Sequence, residues 1–307
     1  MFTQLQVKII LSVIVVSRVC NMYPANSILG LQNGALQGGD VIYNARTGQE
    51  TKTIFNTSLM YYDDFDKYSN WNFFIMPEGR CIFPHIAAAE LCWALTGEKN
   101  TDLISKYSKM WNKFTNETNE VETAYGYRMR RHFGRDQLLE LIDLINKDIS
   151  TRQALISYWD PVSDGLMNQG KVKNVPCPFA WQVNIDSDDN LHLTLFMRSS
   201  DLVVGLPYDF MFYDQLALAL SNELNLSKKN ITVMSANSHI YRAHESIVLQ
   251  QVTLDDPVFL PKYYQSKATL SEIMFDPESY IEEIRGLCSP DVEKRRELYH
   301  PKPEVFE

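Results

Sequence analysis

The sequence predicts an α+β protein folded as one unit, and three observations carry that expectation. Strand-like and helical stretches are intermixed with no regular βαβ period. Across 307 residues, 45% are apolar and 22% charged, ordinary values for a chain with a covered core, and nothing in the composition forces a split. The phosphate-loop, dinucleotide, zinc-protease and serine-hydrolase fingerprints (G-x-x-x-x-G-K-[ST], G-x-G-x-x-G, H-E-x-x-H, G-x-S-x-G) are all missing, so the folds they mark lack support.

Taken in order, residues 8–16 (KIILSVIVV) are dense in Ile and Val and read as a buried strand. The run is short for a signal peptide, only Lys8 precedes it, and no clean small-x-small cleavage site follows. It is also too short to span a bilayer as a helix. Residues 21–45 are rich in Gly, Asn and Gln and reach the turn-prone Gly38-Gly39-Asp40, after which Val41-Ile42-Tyr43 begins an extended stretch. Residues 83–96 (FPHIAAAELCWALT) predict a helix with Pro84 near its start, buried on most faces. Glu90 lies within that apolar run, so its carboxylate is expected to be desolvated and either paired or used.

Residues 135–147 read as a half-exposed amphipathic helix. Strands are expected over 154–159, 179–185 and 191–198, the last two joined as a hairpin through Asp186-Ser187-Asp188-Asp189-Asn190. A helix over 213–226 and a strand over 231–235 follow. The domain expectation is a single catalytic domain over 1–307, with residues 1–30 as an N-terminal extension.

The formal net charge of −9 excludes a general nucleic-acid surface, which needs clustered Lys and Arg, but leaves room for a nucleotide held by a few arginines. The five cysteines, Cys20, Cys81, Cys92, Cys177 and Cys288, are odd in number and irregularly spaced, with neither C-x-x-C nor His/Cys metal spacing. A reduced, cytoplasmic protein without metal or membrane partner fits this pattern, in the host cytoplasm if the protein is viral.

Four blocks in order, Ala45-Arg46-Thr47-Gly48, Val175-Pro176-Cys177, Arg198-Ser199-Ser200-Asp201 and Ser238-His239-Ile240-Tyr241, resemble the thymidylate synthase family over nearly all of residues 40–245. The stretches AELCWALTG and AYGYRMRRHFGRDQL resemble the phage and biosynthetic branches of the same superfamily. The resemblance implies a large mixed sheet flanked by helices, a homodimer formed through that sheet, a nucleoside monophosphate substrate and 5,10-methylenetetrahydrofolate as cofactor. Chemistry explains the grouping. C5 of a pyrimidine is a poor nucleophile until a thiolate adds to C6, so a cysteine is required.

By resemblance Cys177 is that nucleophile, with Arg198 favouring its thiolate. Arg46 and Arg198 hold the phosphate, with Ser199 beside them, and Arg152 reaches across from the partner subunit. The family's second arginine at that place is Gln153 here. Glu90 matches the catalytic glutamate that handles protons at the pyrimidine carbonyl, and Tyr125 the tyrosine that helps remove the C5 proton. Trp111, Asp201, Gly205 and Tyr208 fall at folate-contacting positions. His239 and Tyr241 match the pair that binds the sugar 3′-hydroxyl, a contact that both deoxyribose and ribose satisfy.

Three departures bear on specificity. Where the synthases place an asparagine that reads uracil, this chain has Asp209. A carboxylate accepts from the cytosine amine, and a shared proton satisfies cytosine N3; ionised, it offers uracil O4 only repulsion. The same change, with Met197 before the R-S block, characterises the deoxycytidylate hydroxymethylase branch. Pro178 stands where a histidine usually follows the nucleophile. The expectation is therefore transfer of a one-carbon unit to C5 of a cytidine monophosphate, dCMP first, and hydration to the 5-hydroxymethyl nucleotide. The rivals are 5-methyl-dCMP formation, dTMP synthesis from dUMP, and an inactive nucleotide-binding regulatory homologue.

Overall fold

A computed structural model describes residues 28–45, 47–62, 82–164, 175–226, 228–253 and 265–299. The expected strand at 8–16, Cys20, Cys81 and Arg46 lie outside the described residues. Among the described residues, seven strands form one mixed sheet in the order β1-β2-β7-β5-β4-β3, with the short β6 also paired to β7. This is the α+β architecture that the sequence predicts.

Helix α1 (Ile28–Gly38) is not expected from its Gly-, Asn- and Gln-rich sequence. It holds because Ile28, Leu31, Ala35 and Leu36 recur at helical spacing and are buried, while Gln32 Nε2 donates to the Leu202 carbonyl at 2.7 Å. Its exit is tight: a Cβ on Gly39 would lie 2.4 Å from the Ala35 carbonyl oxygen, so only glycine fits. The chain then forms β1 (Asp40–Asn44) and the long β2 (Gln49–Tyr62), an antiparallel pair.

Helix α2 (Pro84–Thr96) starts with proline in its first turn and ends at Gly97 in the left-handed region at φ 70°. Its alanines and leucines are buried almost all round, as its composition predicts. Helix α3 (Tyr125–Arg130) crosses it closely: a Cβ on Gly126 would sit 2.1 Å from the Ala94 carbonyl oxygen. That close approach seats Tyr125 against the helix that carries Glu90. The amphipathic α4 (Gln137–Lys147) begins two residues later than expected, at an Asp136 cap that accepts from Leu139 N.

Strand β3 (Leu155–Ser157) is shorter than the expected 154–159. Strands β4 (Pro178–Ile185) and β5 (Asn190–Met197) form the expected hairpin. After β6 (Ser200–Asp201), helix α5 (Leu206–Glu223) starts seven residues before the predicted 213, with Pro207 in its first turn. Strand β7 (Lys228–Tyr241) is far longer than the predicted 231–235, and pairs parallel with β5 and antiparallel with β2. Helices α6 (Glu245–Thr253), α7 (Leu270–Phe275) and α8 (Pro277–Tyr299) close the described chain.

One face of the sheet is core: Leu59, Trp181, Leu193, Leu195, Ile231 and Val233 are buried there. The opposite face leaves Met60, Leu155, Phe179 and Met234 exposed.

Candidate active site

The β4–β5 hairpin register places Pro178 opposite Met197, and so sets Cys177 beside Arg198. Arg198 N donates to the Cys177 carbonyl at 2.9 Å. The Arg198 guanidinium turns back onto the same loop: Nε donates to Pro176 O at 2.9 Å, and Nη2 to Val175 O at 2.7 Å while lying 3.7 Å from Cys177 Sγ. A fixed cation beside a half-buried thiol favours the thiolate. Cys92 and Cys288 are buried instead, and burial pushes the Cys92 thiol far up, as expected for inert core cysteines. Among the described residues Arg198 Nη1 donates to no protein group, which leaves it for an anionic ligand.

Glu90 is half-buried on α2, and the protein packed round it pushes its carboxyl up to about 7. Its one opposing influence is the Trp111 indole, whose Nε1 donates to Oε1 at 3.0 Å. The Trp111 ring meets Tyr125 edge-on at 5.6 Å. Burial, then the charges of Asp209, Cys177 and Glu90, hold the Tyr125 phenol well above its ordinary range, so these three groups lie within electrostatic reach of it.

Asp209 lies in the first turn of α5. Burial first, then Glu90 and Asp201, push its carboxyl up to about 8, and no described residue donates to it. At neutral pH it therefore carries a proton and is both donor and acceptor. Asp201 on β6 pairs with His239 on β7, and its Oδ1 accepts from Val203 N at 2.9 Å and Val204 N at 3.1 Å. His239 Nδ1 lies 2.9 Å from Asn237 Oδ1, and its ring meets Tyr241 edge-on at 5.0 Å. Burial lowers the His239 pKa, Asp201 opposes that, and Arg198 adds to it.

Ser199 is half-buried between β5 and β6, next to Arg198. Gly205 caps α5, and its carbonyl accepts from Tyr208 N at 2.9 Å and Asp209 N at 3.0 Å. The Tyr208 hydroxyl accepts from Phe83 N at 3.4 Å at the start of α2. Arg152 is not part of this cluster. It is exposed just before β3, where its carbonyl accepts from Gln182 Nε2 at 3.1 Å.

Sequence reasoning misses Asn237, which orients His239, and the Tyr158–Tyr213–Trp181 cluster behind Tyr125. In the sequence Tyr158 reads only as part of a strand. Among the described residues no three His, Cys, Asp or Glu side chains gather as a metal site, and no helix is long and apolar enough to cross a membrane.

Known thymidylate synthases are similar to this chain in sequence. The thymidylate synthase of Buchnera aphidicola subsp. Baizongia pistaciae (strain Bp) is 29% identical over 223 residues, 71% of this chain and 79% of the relative. That of Malacoplasma penetrans (strain HF-2) is 28% identical over 211 residues, 58% of this chain and 70% of the relative. That of Corynebacterium aurimucosum is 24% identical over 254 residues, 80% of this chain and 85% of the relative. The family model described as thymidylate synthase matches residues 29–278, and with the thiol, cation and carboxyls converging as they do, the chain belongs to the thymidylate synthase family.

Proposed function

We propose that the protein transfers a one-carbon unit from 5,10-methylenetetrahydrofolate to C5 of dCMP and hydrates it to 5-hydroxymethyl-dCMP. The observation that carries this reading is Asp209, a carboxyl standing where the family reads the base and held near-neutral by burial, Glu90 and Asp201. Its O–H donates to cytosine N3 while its other oxygen accepts from the N4 amine.

Cys177 Sγ adds to C6 as thiolate, and the electron pair released into the ring makes C5 nucleophilic. Tyr125, its phenol held protonated, orients the water that carries away the C5 proton, and Glu90, poised near 7, exchanges a proton at the ring carbonyl through water. Arg198 Nη1 and Arg46 bind the phosphate; His239 and Tyr241 bind the sugar hydroxyl. The folate supplies carbon at the oxidation level of formaldehyde. Residues suited to hold it are present: Trp111 and Tyr208 offer rings, and Asp201 keeps Oδ2 without a donor among the described residues. Loss of Cys177 from C6 releases the product.

The relatives are named thymidylate synthase, so dTMP formation from dUMP is the reading to exclude. Mass analysis of the product from dCMP and methylenetetrahydrofolate, with dUMP as control, decides. 5-Hydroxymethyl-dCMP is expected; 5-methyl-dCMP overturns the hydration, and preferred turnover of dUMP overturns the base assignment. Cys177→Ser is expected to abolish turnover while retaining nucleotide binding, since an alcohol is a far weaker nucleophile at neutral pH.

The exposed sheet face with Met60, Leu155, Phe179 and Met234 supports a homodimer through that face, with Arg152 of the partner subunit at the phosphate. Mixing Arg152→Ala protomers with Cys177→Ser protomers should restore activity. Heterodimers that form without complementation rule out the shared site.

A further inference from the structure

Behind Tyr125 lies a second tyrosine that none of the chemistry above uses. Tyr158 follows directly on β3 and is fully buried. Its ring stacks on that of Tyr125, with centroids 5.5 Å and planes 26° apart. Its hydroxyl accepts from Trp181 Nε1 at 2.9 Å and from the Tyr213 hydroxyl at 3.2 Å. Trp181 and Tyr213 are fully buried too. The backbone N–H of Tyr158 donates to the Phe179 carbonyl at 2.9 Å.

Each of these partners sits on an element that carries a site residue. Tyr125 opens α3, within electrostatic reach of the thiol. Phe179 and Trp181 lie on β4, directly downstream of Cys177. Tyr213 is one helical turn beyond Asp209 on α5, close enough for the Asp209 charge to act on its phenol. Tyr158 therefore joins three elements: its oxygen links β4, which follows the nucleophile, to α5, which carries the base reader, and its ring stacks on Tyr125 of α3.

The chemistry of the groups makes this junction specific. An indole N–H can only donate, and a buried one needs an acceptor. Apolar packing fixes volume and leaves rotation and small slides open, whereas two directed hydrogen bonds onto one oxygen fix both distance and angle. The Tyr125 ring has no such bond to these partners, so stacking on Tyr158 is what transmits the fixed position to it.

We propose that Tyr158 is a positioning residue, whose hydroxyl sets the mutual placement of Cys177, Tyr125 and Asp209 for proton removal at C5. This rests on the reading of the site as that of a pyrimidine C5 transferase. It concerns residues outside every block that carries the family resemblance.

Tyr158→Phe tests it, because the ring and its stacking remain while the acceptor is lost. On whichever of dCMP and dUMP the native enzyme uses, kcat is expected to fall roughly tenfold to a hundredfold, with nucleotide KM within about twofold. Tyr213→Phe removes one of the two donors and should give a smaller fall. Leu141→Ala, a core truncation on α4 that leaves both hydrogen bonds to Tyr158 in place, is the control for lost stability. At a matching drop in Tm it should keep its kcat.

A folded Tyr158→Phe enzyme with native kcat, or a kcat loss that Leu141→Ala reproduces at equal Tm, overturns the proposal. If Tyr158→Phe does not fold, an unchanged kcat in Tyr213→Phe overturns it instead. A native enzyme inactive on both nucleotides sinks the reading of the site, and this inference with it. An active native enzyme with an unaffected Tyr158→Phe sinks the inference alone.

Discussion

Asp209 and Asp214 stand little more than one turn apart on α5, yet they meet opposite fates. Asp214 is buried against Lys229 of β7, whose ammonium also lies 5.7 Å from the centre of the Tyr61 ring. Asp209 has no cation among the described residues. Its charged neighbours are Glu90 and Asp201. A buried carboxylate with a fixed counter-ion anchors structure; one without keeps its proton and becomes a donor. The helix does not choose between the two outcomes. The strand opposite does, through the single side chain of Lys229. Arg128 and Asp164 repeat the structural solution elsewhere, paired at 2.9 Å and buried.

The largest effect expected from this contrast is on stability. Asp214→Asn leaves the Lys229 ammonium buried and unpaired, which should cost about 3–5 kcal/mol, whereas combining Asp214→Leu with Lys229→Met should recover most of it. Urea unfolding measures both, and an unchanged midpoint in Asp214→Asn would break the comparison. Asp209→Asn should not destabilise the fold and should alter chemistry instead. Restoring an amide donor for uracil O4 is worth about 1–3 kcal/mol, so the preference between dCMP and dUMP should swing by at least roughly tenfold. An unaltered preference would mean that Asp209 does not read the base.

A third effect is a pH dependence. Glu90 and Asp209 titrate near 7 and 8 in the folded protein, above their ordinary values of 4.5 and 3.8. Folding therefore takes up protons between those limits, and stability falls as pH rises. The contribution is complete below about pH 4, is lost through 7 to 8, and is level above that. Tm measured across this range should decline in the native protein and flatten in Glu90→Gln/Asp209→Asn. A native Tm that rises over the interval would contradict the raised carboxyls.

Where side chains dictate periodicity, the sequence was legible: α2, α4 and the β4–β5 hairpin lie within a few residues of expectation. Polar composition hid the rest. α1 has three glycines yet buries a regular stripe, and β7 runs through Asn230, Asn237 and Ser238 because β2 pairs along its whole length. α5 starts at Leu206-Pro207, ahead of the expected 213.

The site follows the same division. Burial of Glu90 could be read from its alanine-rich helix, and the cation beside Cys177 from the family resemblance. The Trp111 bond to Glu90 and the Tyr158 junction join residues far apart in sequence, and only packing brings them together.

The bond from Trp111 to Glu90 gives the site an optical signal of its own. Indole emission responds to charge at the ring, and here the ring nitrogen touches a carboxyl that changes charge near pH 7. Fluorescence from Trp111 should therefore shift with a midpoint close to 7, and Trp111→Phe should remove that shift. A nucleotide that reorganises the proton on Glu90 would move the same emission, so occupancy of the site can be followed without label or turnover.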